Sequence, residues 1–379
     1  MMIITSLITE YNPFHNGHIH HIEASRRLTG ADVVIAIMSG SFTQRGEIAV
    51  TDKFTRAEAA IRHVDLVVEL PLLNAISFAD DFAMGGVHIA ELLGSDHIVF
   101  GSESGDIDTL KDVHSKLKDT DIQSRMEAYM KKGYSYPRAI NASIQSDVFG
   151  GANNTLGLAY IRAIEEIGSG IIPLTIPRLG NRYSETTLSQ SRFSSATSLR
   201  EALREGRVEA AARYMPRELA ENINASGPLS NEDLFATLKL LIQRSSAEDL
   251  RRIYMMTEGI EHRLLAKIRD HHSYSAFIGS VKTKRYTWTR LNRLMIYILL
   301  NITTSRMDGY AMKDAVRVLA MNRTGQSFLK TLPEDLPVIT NVNSTNRHHV
   351  EDEVMATDIH NIFSRSKRND YNTPVIIAD

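Results

Sequence analysis

Tyr11-Asn12-Pro13-Phe14-His15-Asn16-Gly17-His18 follows directly on the first apolar run of the chain, Ile3 to Ile8, and its reading decides the fold. The apolar run predicts a strand, Asn12-Pro13 a tight loop, and the His-x-Gly-His end the first turn of a helix. A helix start presents backbone N–H groups without intrahelical partners and the positive end of its dipole, a natural seat for phosphate. Two histidines three residues apart fall on one side of that turn. His15 and His18 are therefore the candidate catalytic residues, able to hydrogen-bond phosphoryl oxygens as their charge rises. Gly17 removes a side chain where the backbone must approach a nucleotide closely. A metal cluster of His15, His18, His20 and His21 is the competing reading, since imidazole is a common ligand. The chain has no cysteine and shows no further ligand at recognisable spacing, so no metal site is predicted.

Working outward, short β-branched runs alternate with helical patterns. Val33 to Met38, Leu66 to Leu70, His97 to Phe100 and Ile172 to Arg178 read as strands, and Lys53 to His63, Asp81 to Leu93 and Leu156 to Ile167 as helices. Continuous apolar strands separated by helices predict a parallel sheet covered on both faces, which binds ligands beyond the carboxyl ends of its strands. The histidine loop, the loop Ser39 to Glu47 and the turn Gly101-Ser102-Glu103-Ser104 all fall on that edge. Arg178, with Tyr183 shortly after, stands where a strand ends and suits a phosphate or carboxylate, or equally an acidic partner. Asn153 reads as a helix cap. Lys131 to Arg138 reads as a substrate lid or equally as an interhelical linker. Ser194 to Glu201 opens a helix, with Thr197 or Ser198 as its ordinary cap.

A chain of 379 residues, 43% hydrophobic and 23% charged, is long enough for two domains. No apolar run approaches the ~20 residues that span a bilayer, so no membrane association is expected. Met1-Met2-Ile3-Ile4 lacks the basic flank of a signal peptide, and the absence of cysteine is compatible with the cytosol. The expected location is cytoplasmic. Net charge is −2, but unevenly spread. Residues 1–195 carry 17 basic against 23 acidic residues, and residues 196–379 carry 26 against 22. Between Arg263 and Arg293 stand eight Lys/Arg and a single acid, Asp270, which suggests an anionic partner for the second half.

That half reads as helical: Leu199 to Arg204, Leu234 to Ile242, Ala247 to Met256, Ile260 to Arg269, Arg290 to Leu300 and Asp314 to Ala320. Leu336 to Ile339 and Thr373 to Ile377 read as short strands. Lys282-Thr283-Lys284-Arg285-Tyr286-Thr287-Trp288-Thr289-Arg290 interleaves bases with aromatics. The composition suits phosphate contacts plus stacking on an unpaired nucleobase, and equally a solvated loop with Tyr286 and Trp288 packed inward.

Several of these stretches, taken in order, resemble one family. They are Glu10 to His18, Met38 to Glu47, Val68-Glu69-Leu70-Pro71, Gly101-Ser102-Glu103, Asn153-Asn154 with Leu156-Gly157, and Ser195-Ala196-Thr197 with Arg200. The family is the bacterial tRNA(Met) cytidine acetate ligases, within the His-x-Gly-His nucleotidyltransferase superfamily. Each motif is short, their joint order is specific, and the resemblance covers nearly the whole chain. It implies an α/β fold, a doubly wound parallel sheet of the Rossmann-like HIGH type over residues 1–204, followed by a mainly helical tRNA-binding domain over 205–379.

The resemblance also implies chemistry. ATP and acetate would give acetyl-adenylate and pyrophosphate, and the acetyl group would pass to the N4 amine of the wobble cytidine of elongator tRNA(Met). ATP would meet Leu7, Ile8, Thr9, Glu10, Tyr11, Asn12, Pro13, Phe14, His15, Asn16, Gly17, His18, Ile19 and His20, and then Gly101, Asn153 and Arg178. Ser195 and Thr197 would hold the departing phosphates, with Mg²⁺ carried on the phosphates. Lys282, Lys284, Arg285, Trp288, Arg290 and Arg293 would hold tRNA. Two rivals share part of this pattern. A small-molecule nucleotidyltransferase making a coenzyme needs no basic helical half. A non-catalytic nucleotide-binding RNA- or ribosome-associated protein has no need of both histidines.

Overall fold

The first apolar run forms β1 (Ile4–Thr9), followed by β2 (Val33–Ser39), β3 (Leu66–Leu70), β4 (His97–Ser102) and β5 (Ile172–Pro177). Each lies within a residue or two of its expected bounds. The computed structural model describes residues 2–145, 151–178, 188 and 192–379; Tyr183 lies outside them. These five strands pair in parallel in the order β5-β4-β1-β2-β3. The chain builds outward from β1 through β2 and β3, then returns to lay β4 on the other side of β1. Loops leaving β1 and β4 thus diverge and open a crevice at their carboxyl ends.

β2 shows why its run is apolar without a break. Its odd residues Val33, Ile35 and Ile37 pack with Phe82, Val87, Leu158 and Ile164, from helices Ala79–Leu92 and Ala152–Ile167. Its even residues Val34, Ala36 and Met38 face the other way, onto Ile22, Phe54, Ala57, Leu199 and Leu203. Those come from helices Asn16–Thr29, Lys53–Ala60 and Ala196–Arg204. Alternate side chains of a strand point to opposite faces, so a strand buried on both reads as continuously hydrophobic. A third core, between Leu229 and Ile302, belongs to the helical part and is extended by Phe42, Ile48, Leu72, Leu73 and Ile76 of the first half.

The stretch Asp314 to Ala320, expected as helix, is instead β6 (Val316–Met321), antiparallel to β3. β7 (Val338–Ile339) and β8 (Ile376–Ile377), both expected as strands, run parallel to β6. The cause is tertiary. The free edge of β3 needs a partner for its backbone, and β6 supplies it while burying all six of its residues. Arg317 breaks the apolar pattern and disguises the strand, but its buried guanidinium lies 3.1 Å from Asp370. A division at 204/205 would therefore separate strands of one sheet. Helices Val208–Ala211 and Arg217–Ser226 also add Ala211, Leu219 and Ile223 to the core under β2.

Buried charge ties the returning segment down. Lys53, fully buried, places Nζ 2.7 Å from Glu69 on β3 and 2.9 Å from Asp370. Removing Lys53 would leave Glu69 charged and without its ion-pair partner in the interior, the costly way to break such a group. Residues 132–135 join helices Thr120–Lys131 and Tyr136–Ile144, the linker alternative for that stretch.

Candidate active site

The helix Asn16–Thr29 starts in a capping box made of the two histidines. His15 is the N-cap, with extended backbone, and its Nδ1 accepts from the Gly17 N–H at 3.0 Å. His18 reciprocates: its Nδ1 accepts from the His15 N–H at 3.2 Å. The rings stack with centroids 3.8 Å apart, and Phe14 backs His18 at 5.8 Å. This geometry fixes protonation. A ring nitrogen that accepts a hydrogen bond carries no proton, so each neutral imidazole holds its proton on Nε2. The cap therefore turns two histidines into two oriented Nε2–H donors. Gly17 has a further role beside its place in the cleft wall: a Cβ there would stand 2.8 Å from His15 Cε1 and 3.0 Å from its Nδ1. It makes room for the histidine ring itself.

Burial, then the Arg178 and Arg200 guanidinium groups, pushes the His15 pKa down to about 3. Burial, followed by His15, His21 and Arg178, holds His18 well below the ordinary histidine value. Both rings are thus neutral donors, and the fixed positive charge comes from arginine. They line a cleft of 720 Å³, within the usual size for a cofactor-sized ligand. Of the stretch 7–20, Ile8, Thr9, Glu10, Tyr11, Asn12, His15, Gly17, His18 and His20 border it. Leu7 and Phe14 are wholly buried core residues. Asn16 turns outward, its N–H donating to Tyr214 O at 2.7 Å and its amide to Arg213 O at 3.2 Å. Pro13 and Ile19 frame the loop without reaching the cleft.

Gly101, Asn153 and Arg178 all border the cleft. Arg178 lies over the end of β4, where a Cβ on Gly101 would be 3.2 Å from its Cγ. The Gly101-Ser102-Glu103 and Asn153-Asn154 stretches interlock. Glu103 accepts from the Asn153 side chain at 2.7 Å and the Asn154 N–H at 2.7 Å, while Asn154 Oδ1 accepts from the Glu103 N–H at 3.0 Å. Gly151, not Asn153, occupies the cap position; the carboxylate of Glu103 satisfies the helix start instead. On the facing wall Ser195 caps helix Ala196–Arg204 by accepting from the Ser198 N–H at 3.1 Å. Ser195 borders the cleft and Thr197 does not. The expected Thr197 or Ser198 cap is therefore displaced to Ser195.

Arg200, Gln44, Arg45, His21 and Tyr160 also line the cleft, and none was singled out from sequence as a nucleotide contact. Arg200 donates to Asn12 O at 2.8 Å and pairs with Glu47 at 2.9 Å. Its signal was its place three residues after Thr197 on the helix that Ser195 caps.

The basic segment divides in two. Lys282, Lys284, Arg285 and Trp288 are exposed, with Lys282 Nζ 5.8 Å from the Trp288 ring. Tyr286 is buried, and its hydroxyl donates to Thr257 O at 2.5 Å. Arg290 stacks on that ring at 4.0 Å and donates to Thr257 Oγ1 at 2.9 Å. Arg293, expected on the tRNA surface, is buried. It donates to Ser77 O at 3.1 Å and Gln44 O at 3.3 Å, lies 4.0 Å over Phe78, and borders the cleft. A guanidinium so committed inward is not an outer phosphate contact. Gly46, with φ +72°, allows this: a Cβ there would lie 2.2 Å from the Arg293 backbone N. Among the described residues no group of three or more His, Asp or Glu could hold a metal, and no helix is long and apolar enough to cross a membrane.

The family model of the HIGH nucleotidyl transferases matches residues 2–373. A tRNA(Met) cytidine acetate ligase of Staphylococcus carnosus is 39% identical over 99% of this chain and 98% of its own. The enzyme of the same name from Staphylococcus saprophyticus is 40% identical over 98% of both chains. Among solved structures, apo Thermotoga maritima TmcAL (form I) superposes with a TM-score of 0.90 at 31% identity, and its form bound with alpha-thio ATP with 0.87 at 31%. Each covers 99% of both chains.

Proposed function

The chain belongs to the tRNA(Met) cytidine acetate ligase family, and from that premise we propose that it activates acetate with ATP and acetylates the N4 amine of the wobble cytidine of elongator tRNA(Met). The observation that carries the reading is the histidine capping box: two neutral Nε2–H donors held at a helix start in a cleft that Arg178 and Arg200 also border.

ATP lies along the β1 exit, with its α-phosphate at His15 and His18. An acetate oxygen attacks the α-phosphorus, and the bond to pyrophosphate breaks. The Nε2–H donors meet the charge that builds on the phosphoryl oxygens, and positioning supplies most of the remainder. Arg178 and Arg200 balance the polyphosphate, and the helix start at Ser195 receives pyrophosphate. Mg²⁺ carried on the triphosphate would supply further charge neutralisation. Glu10 is the one carboxylate among the described lining residues, so phosphate and water oxygens would hold such an ion, as is common for Mg²⁺. Exposed Lys282, Lys284, Arg285 and Trp288 hold the tRNA outside the cleft, a task that places the protein in the cytoplasm with its substrate.

Pyrophosphate exchange into ATP tests this when run with acetate, with a panel of phosphorylated metabolites and with neither, alongside transfer of labelled acetate to tRNA. Exchange that needs acetate, with label in tRNA(Met), is the expected result. Exchange driven by a phosphorylated metabolite would make the chain a coenzyme-forming nucleotidyltransferase. Exchange with none would leave a nucleotide-binding protein.

A further inference from the structure

In a cleft read as built for a polyphosphate and a carboxylic acid, Glu10 is the only carboxylate among the described lining residues. Its neighbour Glu47 is neutralised by Arg200 at 2.9 Å. Glu10 is held differently. Its Oε1 accepts from the Gln44 backbone N–H at 2.9 Å, and the side chain is anchored on the loop that carries Arg45. That loop and the helix Trp288–Leu300 together wall the cleft with Gln44, Arg45, Thr289 and Arg293. The basic segment reaches the cleft on this wall, so a nucleotide held outside would enter here. Arg178 belongs to the charges that act on His15, Arg45 to those that act on Glu10, and Arg200 to both.

The geometry points to Glu10 as the proton acceptor of the second half-reaction, receiving the N4 proton of the cytosine that takes the acetyl group. The inference rests on the function proposed above. The exocyclic amine of cytosine is conjugated with the ring and barely nucleophilic, so attack needs a base. The N4 lone pair forms the C–N bond to the acetyl carbonyl carbon. One N4 proton passes to the Glu10 carboxylate, and the bond from that carbon to the phosphate oxygen breaks. AMP leaves with the electron pair, and Glu10 later gives its proton to water. The same contact discriminates the base. Cytosine offers an N–H at position 4, where uracil offers a carbonyl oxygen that a carboxylate repels.

Burial raises the Glu10 pKa above the ordinary carboxyl value, Glu47 raises it further, and Arg45, the Gln44 N–H and Arg200 oppose them. Arg56, which donates to the Glu10 carbonyl at 2.8 Å, and Tyr160 also face it. A base so raised accepts a proton more readily than a free carboxylate.

Glu10→Gln keeps an acceptor for the Gln44 N–H and removes the base. The test compares acetate-dependent pyrophosphate exchange with single-turnover transfer from preformed acetyl-adenylate to tRNA(Met), from about pH 4, the ordinary carboxyl range, to about pH 9. Wild-type transfer should rise with pH through one ionisation and level off. In the variant, measured at saturating ATP because Glu10 also borders the ATP cleft, it should fall about 10²- to 10⁴-fold and lose that limb, a loss well beyond any in exchange. Equal losses in both half-reactions, or transfer within a few-fold of wild type, would overturn the assignment. Should the variant fail to fold, the wild-type profile decides, since a rate flat with pH leaves no base to assign. Absence of acetate-dependent exchange in the wild type would instead remove the proposed function itself.

Discussion

His15 serves as both helix cap and donor, and one substitution separates the two. Asn ranks among the strongest N-cap residues, and its Oδ1 stands near the position of His15 Nδ1, within reach of the Gly17 N–H now at 3.0 Å. It has no ε atom, so the Nε2–H donor is lost. His15→Asn should therefore keep the capping contribution of about 1 kcal/mol, and His15→Ala should lose it, lowering the melting temperature by a few degrees at most. Both should lose the donor. Removing one hydrogen bond made to a transition-state oxyanion costs about 10²- to 10³-fold in rate, or about 2.7–4 kcal/mol. The assay is acetate-dependent ATP–pyrophosphate exchange beside thermal melting. If His15→Asn exchanges within a few-fold of wild type, the ring is a cap and nothing more. Equal melting losses for Asn and Ala would refute the capping argument.

Arg178→Ala should weaken ATP binding or turnover and leave tRNA affinity near normal, because its side chain lies over Gly101 at the cleft wall; a normal ATP response with lost tRNA binding would place it on the other surface. For the exposed bases, tRNA binding measured against salt should show a log–log slope that flattens by about 0.7–0.9 when Lys282 or Lys284 is neutralised, and an unchanged slope removes that residue from the interface. Arg293→Ala should lower thermal stability and exchange together, since it frees the buried carbonyl of Ser77 and the partly buried one of Gln44; a fully stable variant with a flattened salt slope would reverse that placement. The pH dependence of stability follows from His360, wholly buried and with its pKa lowered to about 4 by burial. The native ring stays neutral while the unfolded one takes a proton below about pH 6.5, so stability is full above that value. It is lost on acidification towards pH 4, by about 1.4 kcal/mol per unit. His360→Gln should show a shallower acid limb in melting against pH, and an identical limb would discard this origin.

The parallel sheet was legible because its inner strands are largely buried on both faces and so read as mainly apolar runs, β2 above all. The histidine pair was legible because a capping box is local: residues 15 to 18 make both of its bonds among themselves. β6 was not legible. Val316 to Met321 has a pattern open to helix or strand, and only the unpaired edge of β3, some 250 residues earlier, decides between them. Arg293 shows the same limit. A sequence records a positive charge in a basic run, but Ser77, Phe78 and Gln44, which draw it inward, come from another part of the chain. The sequence by itself determined the strands of the parallel sheet and the histidine helix start with its donors, since those depend on neighbours within a few residues. Tertiary structure alone decided which charges face the cleft, the outer surface or the interior, because burial is set by whatever the fold brings alongside.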